Sequence, residues 1–222
     1  MSVKRVCKLP HIDIESSGPL SALVTNGFGS YFAIDETLSY QGWYVLSPKE
    51  WRMQKIIESI TPVGLDCVEL QTNLNNIRRK FSDTKADTIF SYQKTLLYST
   101  TGLEDTFVHL TLDHRDSYDT SKLGRHYNLA VNGDIATITF TQEGEFTSYL
   151  VIKGVKQVKL IDSWREKEYL FDKHRNAQSN YWVYDAIEFI PNHHCVFSTS
   201  QNLIEARTIA DITYFHFDDI IS

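Results

Sequence analysis

The residues of this chain that could do chemistry are scattered carboxylates, a few histidines and three cysteines. Hydrolysis of a glycosidic bond needs two carboxyl groups facing each other across a cleft, about 5–9.5 Å apart. Glu104-Asp105, Asp113, Asp116 and Asp218-Asp219 are the obvious candidates. Each falls in or beside an expected turn or terminus, where an acidic side chain is solvated, so no catalytic pair is assigned. The densest metal-type groupings are Asp113-His114-Arg115-Asp116 and His193-His194-Cys195. Adjacent residues of a strand point to opposite faces, which keeps His193 and His194 from sharing an ion. Asp172 and His174 share a face if extended but lack a third ligand. No HExxH spacing occurs, so no metal is expected. No GxSxG elbow marks a nucleophile. Gly27-Phe28-Gly29 lacks the third glycine and the following helix of a dinucleotide site, and no cofactor is expected.

The elements that must position any site are short and strand-like. Residues 20–25, 30–34 and 42–46 read as strands, separated by the turn-prone Asn26-Gly27 and by Gly29, a candidate bulge or close approach. The plain role of this glycine loop is a tight turn. A sharper role is to present Tyr31, Tyr40, Trp43 and Tyr44 beside an active site. The stretch before it, residues 1–19, reads as an opening strand or arm ending at Ser16-Ser17-Gly18-Pro19. Ser47-Pro48-Lys49-Glu50-Trp51 reads as a turn. Met53, Ile56, Ile57 and Ile60 fit a helix or a strand equally well. Residues 66–72, 89–97 and 105–112 alternate as strands. The cluster Arg78-Arg79-Lys80 reads as the solvated end of a strand.

Asn132-Gly133-Asp134 between two alternating apolar runs is a hairpin turn. The strands around it, 126–131 and 135–140, are expected to continue through a turn at residues 142–145. Strand 146–152 follows, and Gly154 is expected to turn the chain into strand 155–161, giving a meander of four strands. Residues 181–190 and 195–198 read as partner strands. Leu203, Ala206, Ile209 and Ala210 recur at helical spacing after a capping residue. The expectation is an all-β chain, a single domain over residues 1–222, built as a large antiparallel β-sandwich with one short C-terminal helix.

Composition agrees with a globular core: 222 residues, 42% hydrophobic and 23% charged, with Tyr 12, Phe 12 and Trp 4. The net charge of −6 repels a polyanion, so nucleic acid is not an expected partner. Cys7, Cys67 and Cys195 form no disulfide framework. With no signal-type segment and no apolar run long enough to cross a bilayer, no membrane is expected and the chain reads as soluble and cytoplasmic.

One resemblance spans nearly the whole chain. Thr25-Asn26-Gly27-Phe28-Gly29-Ser30-Tyr31 followed by Tyr40-Gln41-Gly42 resembles the "TNG-x-GGY" loop and "YHG" strand of the N-terminal domain of glycogen-debranching-enzyme-like glucosidases, the amylo-α-1,6-glucosidase type. Trp164, Tyr169, Asp172 and Arg175 resemble that family's "W…Y…E…RG" segment, and Val196-Phe197-Ser198-Thr199-Ser200 its late strand before a helix. Departures are Leu38-Ser39 where the family often has arginines, Gln41 for its histidine and Asn176 for its glycine. The resemblance implies a β-supersandwich of the galactose-mutarotase type, placed before an (α/α)₆ barrel that carries the catalytic glutamates. It implies a non-catalytic domain that packs on an (α/α)₆ glucosidase domain or subunit and helps shape an α-glucan site. Asn26, Gly27, Gly29, Tyr31, Tyr40, Gln41, Trp43, Tyr169, Asp172 and Arg175 become carbohydrate-contact or domain-interface candidates. The alternatives are a free-standing carbohydrate-binding module and a small mutarotase-like sugar enzyme. The latter expects one of His109, His114, His126 or His174 beside an acidic residue in a pocket.

Overall fold

The computed structural model describes residues 12–13, 21–47, 51–117, 119–143 and 146–221. The turn residues 16–19, 48–50 and 144–145 named above lie outside them. The chain is mostly antiparallel sheet. Its strands are β1 (Ile12–Asp13), β2 (Ala22–Thr25), β3 (Tyr31–Ile34), β4 (Gly42–Ser47), β5 (Arg52–Pro62), β6 (Glu69–Thr72) and β7 (Asn76–Lys80). They continue as β8 (Ala86–Tyr92), β9 (Thr95–Thr101), β10 (Val108–Asp116), β11 (Arg125–Asn132), β12 (Ile135–Gln142), β13 (Phe146–Glu168) and β14 (Asn180–Ser200). The described residues also form three helices: α1 (Leu170–His174), α2 (Leu203–Phe215) and α3 (Phe217–Ile221).

The fourteen strands of the described residues belong to one sheet, ordered β1-β6-β7-β8-β9-β14-β10-β5-β4-β3-β2, with β11, β12 and β13 branching from β14. β2 lies against β6, β7 and β8, so the sheet curls into a nearly closed, barrel-like shape. Its interior is the main core, with Trp43, Ile57, Ile77, Leu96, Leu110, Ile187 and Phe197 all fully buried.

β14 organises this architecture. One edge pairs β10 through Tyr184–Phe189 and β9 through His194–Ser198, while the other pairs β13 from Tyr149↔Ser200 to Glu168↔Asn180. The expected strand pair 181–190 and 195–198 is therefore one continuous strand. It bends in the middle, where His193 has φ 56° and the register to β13 slips between Lys153↔Val196 and Val155↔Pro191. Gly154, expected as a turn, sits opposite this bend at φ 94°. A Cβ there would lie 2.4 Å from His194 O, so it lets the two backbones approach where the strands bend. The four-strand meander is thus three strands, β11 to β13, the last of 23 residues taking in both expected strands 146–152 and 155–161.

Two further expectations change. Residues 89–97 divide into β8 and β9, joined through Gln93 at φ 49°. Residues 52–62 form a strand. Arg79 is not solvated: it is buried and donates to both oxygens of Asp87. The C-terminal helix forms as expected, with Asn202 Oδ1 accepting from the backbone of Ile204 and Glu205. Ala206 and Ala210 of α2 pack on Val151, and Phe217 of α3 on Leu97 and Val196. No helix among the described residues is long and apolar enough to cross a membrane.

Candidate functional site

The site begins with a line of irregularities across neighbouring strands. Between Thr111↔Ser59 and Leu112↔Ile57, β5 carries an extra residue, Glu58. Between Leu112↔Ile57 and Arg115↔Lys55, β10 sets two residues, Asp113 and His114, against the single Ile56 of β5. β14 bulges at Ala186 and β13 at Ile161-Asp162, with Asp162 at φ 53°. Bulges re-aim side chains, and these turn charged groups inward. Lys55, Glu58, Asp113, Arg115 and Arg125 are all buried.

These charges form one network. Asp113 Oδ2 accepts from Arg115 Nε at 2.8 Å and lies 3.2 Å from Lys55 Nζ, and Asp113 Oδ1 accepts from Arg125 at 3.1 Å. Glu58 takes close contacts from Lys55 and Gln41, and Lys167 Nζ donates to it at 2.7 Å. Lys55 also donates to Ser39 O at 3.0 Å, and its ammonium sits over the rings of Tyr44 and Tyr169. Burial alone pushes the Asp113 carboxyl up, but Lys55, Arg115 and Arg125 outweigh it and hold it at about 2. Glu58 is lowered by the same balance, burial opposing and Lys55 with Lys167 prevailing. Both carboxylates stay ionised at neutral pH. Beside them the Tyr169 phenol is pushed far up, by burial first and then by Glu58 and Asp113.

Gly42 holds this arrangement at its backbone. Its φ is 95°, and a Cβ there would meet Ile57 O at 2.0 Å and Glu58 O at 2.8 Å. Only glycine lets β4 lie this close to the β5 bulge. The preceding loop is tied down by Thr37 donating to Asp35 Oδ1 and by Gln41 N donating to Leu38 O.

Glu58 and Gln41 form part of the wall of a cavity of about 820 Å³. His109, Arg165, Lys167 and Glu188 line it as well. His109 Nε2 lies 3.1 Å from Asp185 Oδ1, which also accepts from Thr111 at 2.8 Å; Asp185 Oδ2 accepts from Arg165 at 2.8 Å. The hydrogen bond to Asp185 is the largest influence on His109 and raises its pKa, while those from His109, Arg165 and Thr111 overcome burial and hold Asp185 at about 2. Next to this polar cavity, sharing Ala33, Ile34 and Gln41 with it, is an apolar shelf of about 180 Å³ formed by Leu23, Tyr31, Leu38 and Tyr40. Alternating donors and acceptors beside an apolar ledge suit a polyhydroxylated ligand, whose hydroxyls need both.

The ten candidate residues from the sequence fall in four places. Gln41, Tyr169, Asp172, Arg175 and Tyr31 converge on the network. Ser39 N donates to Asp172 Oδ2 at 2.8 Å, Phe171 N donates to Thr37 O at 3.1 Å, and Arg175 lies 2.8 Å from Asp172 Oδ1. Tyr31 stacks on Tyr44 with centroids 4.7 Å apart, and Tyr40 is 45% exposed on the shelf. Trp43 is buried in the core. Asn26, Gly27 and Gly29 lie at the other end of β3. Asn26 Oδ1 accepts from Phe28 N and Ser30 N, and its amide donates to Ser91 Oγ and Gln93 O, both at 2.9 Å. This side chain fastens the β2–β3 loop to the β8–β9 turn. The left-handed residue of the loop is Gly29, at φ 82° against Leu46, rather than Asn26 or Gly27.

Lys55, Glu58, Arg125 and Asp185 were not singled out from the sequence, Arg115 appeared only within a metal-type grouping, and Asp113 was read as solvated although it is fully buried. One feature pointed to the first two: Lys55 and Glu58 flank the apolar Ile56-Ile57, and charges placed inside an apolar run are usually paired when buried. Of the four histidines considered, His109 is the one lining this cavity beside a carboxylate. His126 meets Glu143 at 3.3 Å on the exposed surface. His114 is buried, stacked on Phe140 and 3.1 Å from Ser148 Oγ. No group of three His, Cys, Asp or Glu among the described residues has the geometry to hold a metal ion. Compared with known proteins, the chain matches no family model, no curated protein and no solved structure.

Proposed function

We propose that this chain is a non-catalytic domain of the kind that stands N-terminally in debranching-enzyme-like glucosidases. It packs on an (α/α)₆ catalytic domain or subunit and supplies part of an α-glucan site. The observation that carries this reading is a convergence. The two segments that bear the resemblance, around Tyr40-Gln41-Gly42 and Tyr169–Arg175, are about 130 residues apart, yet they meet through Asp172 and Ser39 beside one buried network and one cavity. The cavity's chemistry fits the reading, since Glu58 and Glu188 on its wall are lowered, and carboxylates so held bind hydroxyls better than they protonate a leaving group.

The test is calorimetric titration with maltooligosaccharides, for the chain alone and mixed with an (α/α)₆ glucosidase polypeptide. Tight association with that polypeptide, and sugar binding that Lys167→Ala weakens, support the reading. Sugar binding by the chain without any association makes it a free-standing binding module. Silence in both titrations defeats the proposal.

A second reading is favoured by His109. An imidazole whose pKa is raised by its hydrogen bond to Asp185, on the wall of a polar cavity, is the arrangement of a general acid. A small mutarotase-like enzyme of this kind interconverts sugar anomers, which polarimetry follows directly. Acceleration by the wild-type chain that His109→Asn abolishes establishes it, and an unaccelerated rate removes it.

A further inference from the structure

Among the described residues the sheet has three terminal strands, and β13 beyond Lys153 is paired on one side only, its length there guarded by Lys156, Lys159, Arg165 and Lys167. Two of the terminal strands are guarded. β1 has only two residues, and β2 has four and lies against β6, β7 and β8. The third, β11, is different. It has eight residues and pairs β12 in unbroken register from Arg125↔Gln142 to Asn132↔Ile135. No strand among the described residues pairs its other edge. His126, Asn128, Ala130, Val131 and Asn132 are exposed along it. Natural edge strands carry lysine, proline, a bulge or an inward charge to stop strand addition. β11, Arg-His-Tyr-Asn-Leu-Ala-Val-Asn, has no lysine, proline, acidic residue or bulge. Its one full charge, Arg125, is withdrawn into the Asp113 network.

We propose that β11 is the seam of an antiparallel homodimer, in which two copies of this chain join their sheets edge to edge. A second copy is the fitting occupant because the strand is complementary to itself. A two-fold axis across an antiparallel pair must fall on one residue. On Asn128 it sets Tyr127 opposite Leu129, His126 opposite Ala130 and Arg125 opposite Val131. On Leu129 it sets Tyr127 opposite Val131 and His126 opposite Asn132. Neither register opposes like charges, and the Leu129 axis sets Tyr127, whose ring packs on Tyr184, against the β-branched Val131, a favourable cross-strand pair. On either axis the contact is isologous and closes at two chains. The inference rests on the strand edge alone and stands whether or not the sugar reading holds.

The test is sedimentation velocity of the full chain from micromolar to hundred-micromolar concentration, with the double variant Asn128→Lys/Ala130→Lys beside it. Both positions are exposed, and either register brings introduced lysines close to each other. The wild type is expected to double in mass with concentration and the variant to stay monomeric with unchanged circular dichroism. A wild type that remains monomeric, or a variant that still dimerises, overturns the proposal. Should the variant misfold, hydrogen exchange of the wild type at low and high concentration decides. Extra protection at high concentration confined to the β11 amides supports the seam, and protection that is absent or lies elsewhere refutes it.

Discussion

Acid should destabilise this protein through His114 before its buried carboxylates begin to titrate. Burial, and then the nearby Arg125, push His114 down to about 3 from an ordinary 6.5, with Asp113 opposing. The unfolded chain therefore takes up a proton between those values that the folded chain refuses. A histidine with a depressed folded pKa contributes stability that is complete above 6.5 and drains as pH falls towards 3. At about 1.36 kcal/mol per pH unit, the loss at pH 4.5 is about 2.7 kcal/mol. Asp113 and Asp185, both held at about 2, keep nearly all their contribution at that pH, because it drains only below the ordinary carboxylate value of 3.8. The raised pKa of His109 acts the other way, with its stabilisation already full below 6.5. His194, lowered by burial, drains in the same direction as His114, so a variant is needed to separate them. In His114→Phe the ring stacked on Phe140 is kept and the titration removed. Urea unfolding of both proteins at pH 7 and pH 4.5 should show the wild type losing about 2.7 kcal/mol more than the variant between the two conditions. Equal losses in the two proteins would mean that His114 takes up its proton in the folded state without cost, and the reasoning would fail.

Three other substitutions test the frame of the site. Gly42→Ala forces a Cβ against Ile57 O and should cost about 3 kcal/mol or more, read as a lowered urea midpoint. Asp113→Ala leaves Lys55, Arg115 and Arg125 buried around a missing anion, so a loss of about 3–5 kcal/mol is expected in the same experiment. Asn26→Ala removes the fastening between the β2–β3 loop and the β8–β9 turn. It should cost about 2 kcal/mol and speed hydrogen exchange at Phe28 and Ser30 while leaving sugar titrations unchanged.

The parts of the fold that were legible in the sequence are those where the side-chain period is regular. β11 and β12 were plain because Asn132-Gly133 separates two clean alternations in unbroken register. β5 was ambiguous for a physical reason. Its register slips at Ile56 against β4 and at Glu58 against β10, and each slip shifts the side-chain phase by one residue. Met53, Ile56, Ile57 and Ile60 therefore recur at helical spacing within a strand. β13 was cut in two because Gly154 was read as a chain reversal, and β14 was read as the partner strands 181–190 and 195–198, whereas Gly154, Pro191 and the left-handed His193 bend strands that continue. The candidate site was half visible. The aromatic and acidic residues of 40–44 and 169–175 were picked out, but the Lys55–Glu58–Asp113 network that joins them was not. Its members are gathered by bulges in separate strands, and no local pattern records a bulge.

The bend in β14 also sets an order of events for the newly made chain. β10 already has β5 behind it when it is synthesised, but its other neighbour, Tyr184–Phe189, lies more than 70 residues downstream. β9 waits still longer for His194–Ser198. Until those residues leave the ribosome, the hairpins on either side can form but have nothing to join them. Closure in such a topology is slow, because distant segments must meet before their contacts repay the lost chain freedom. During that interval the unpaired edges of β9 and β10 are open to any passing strand.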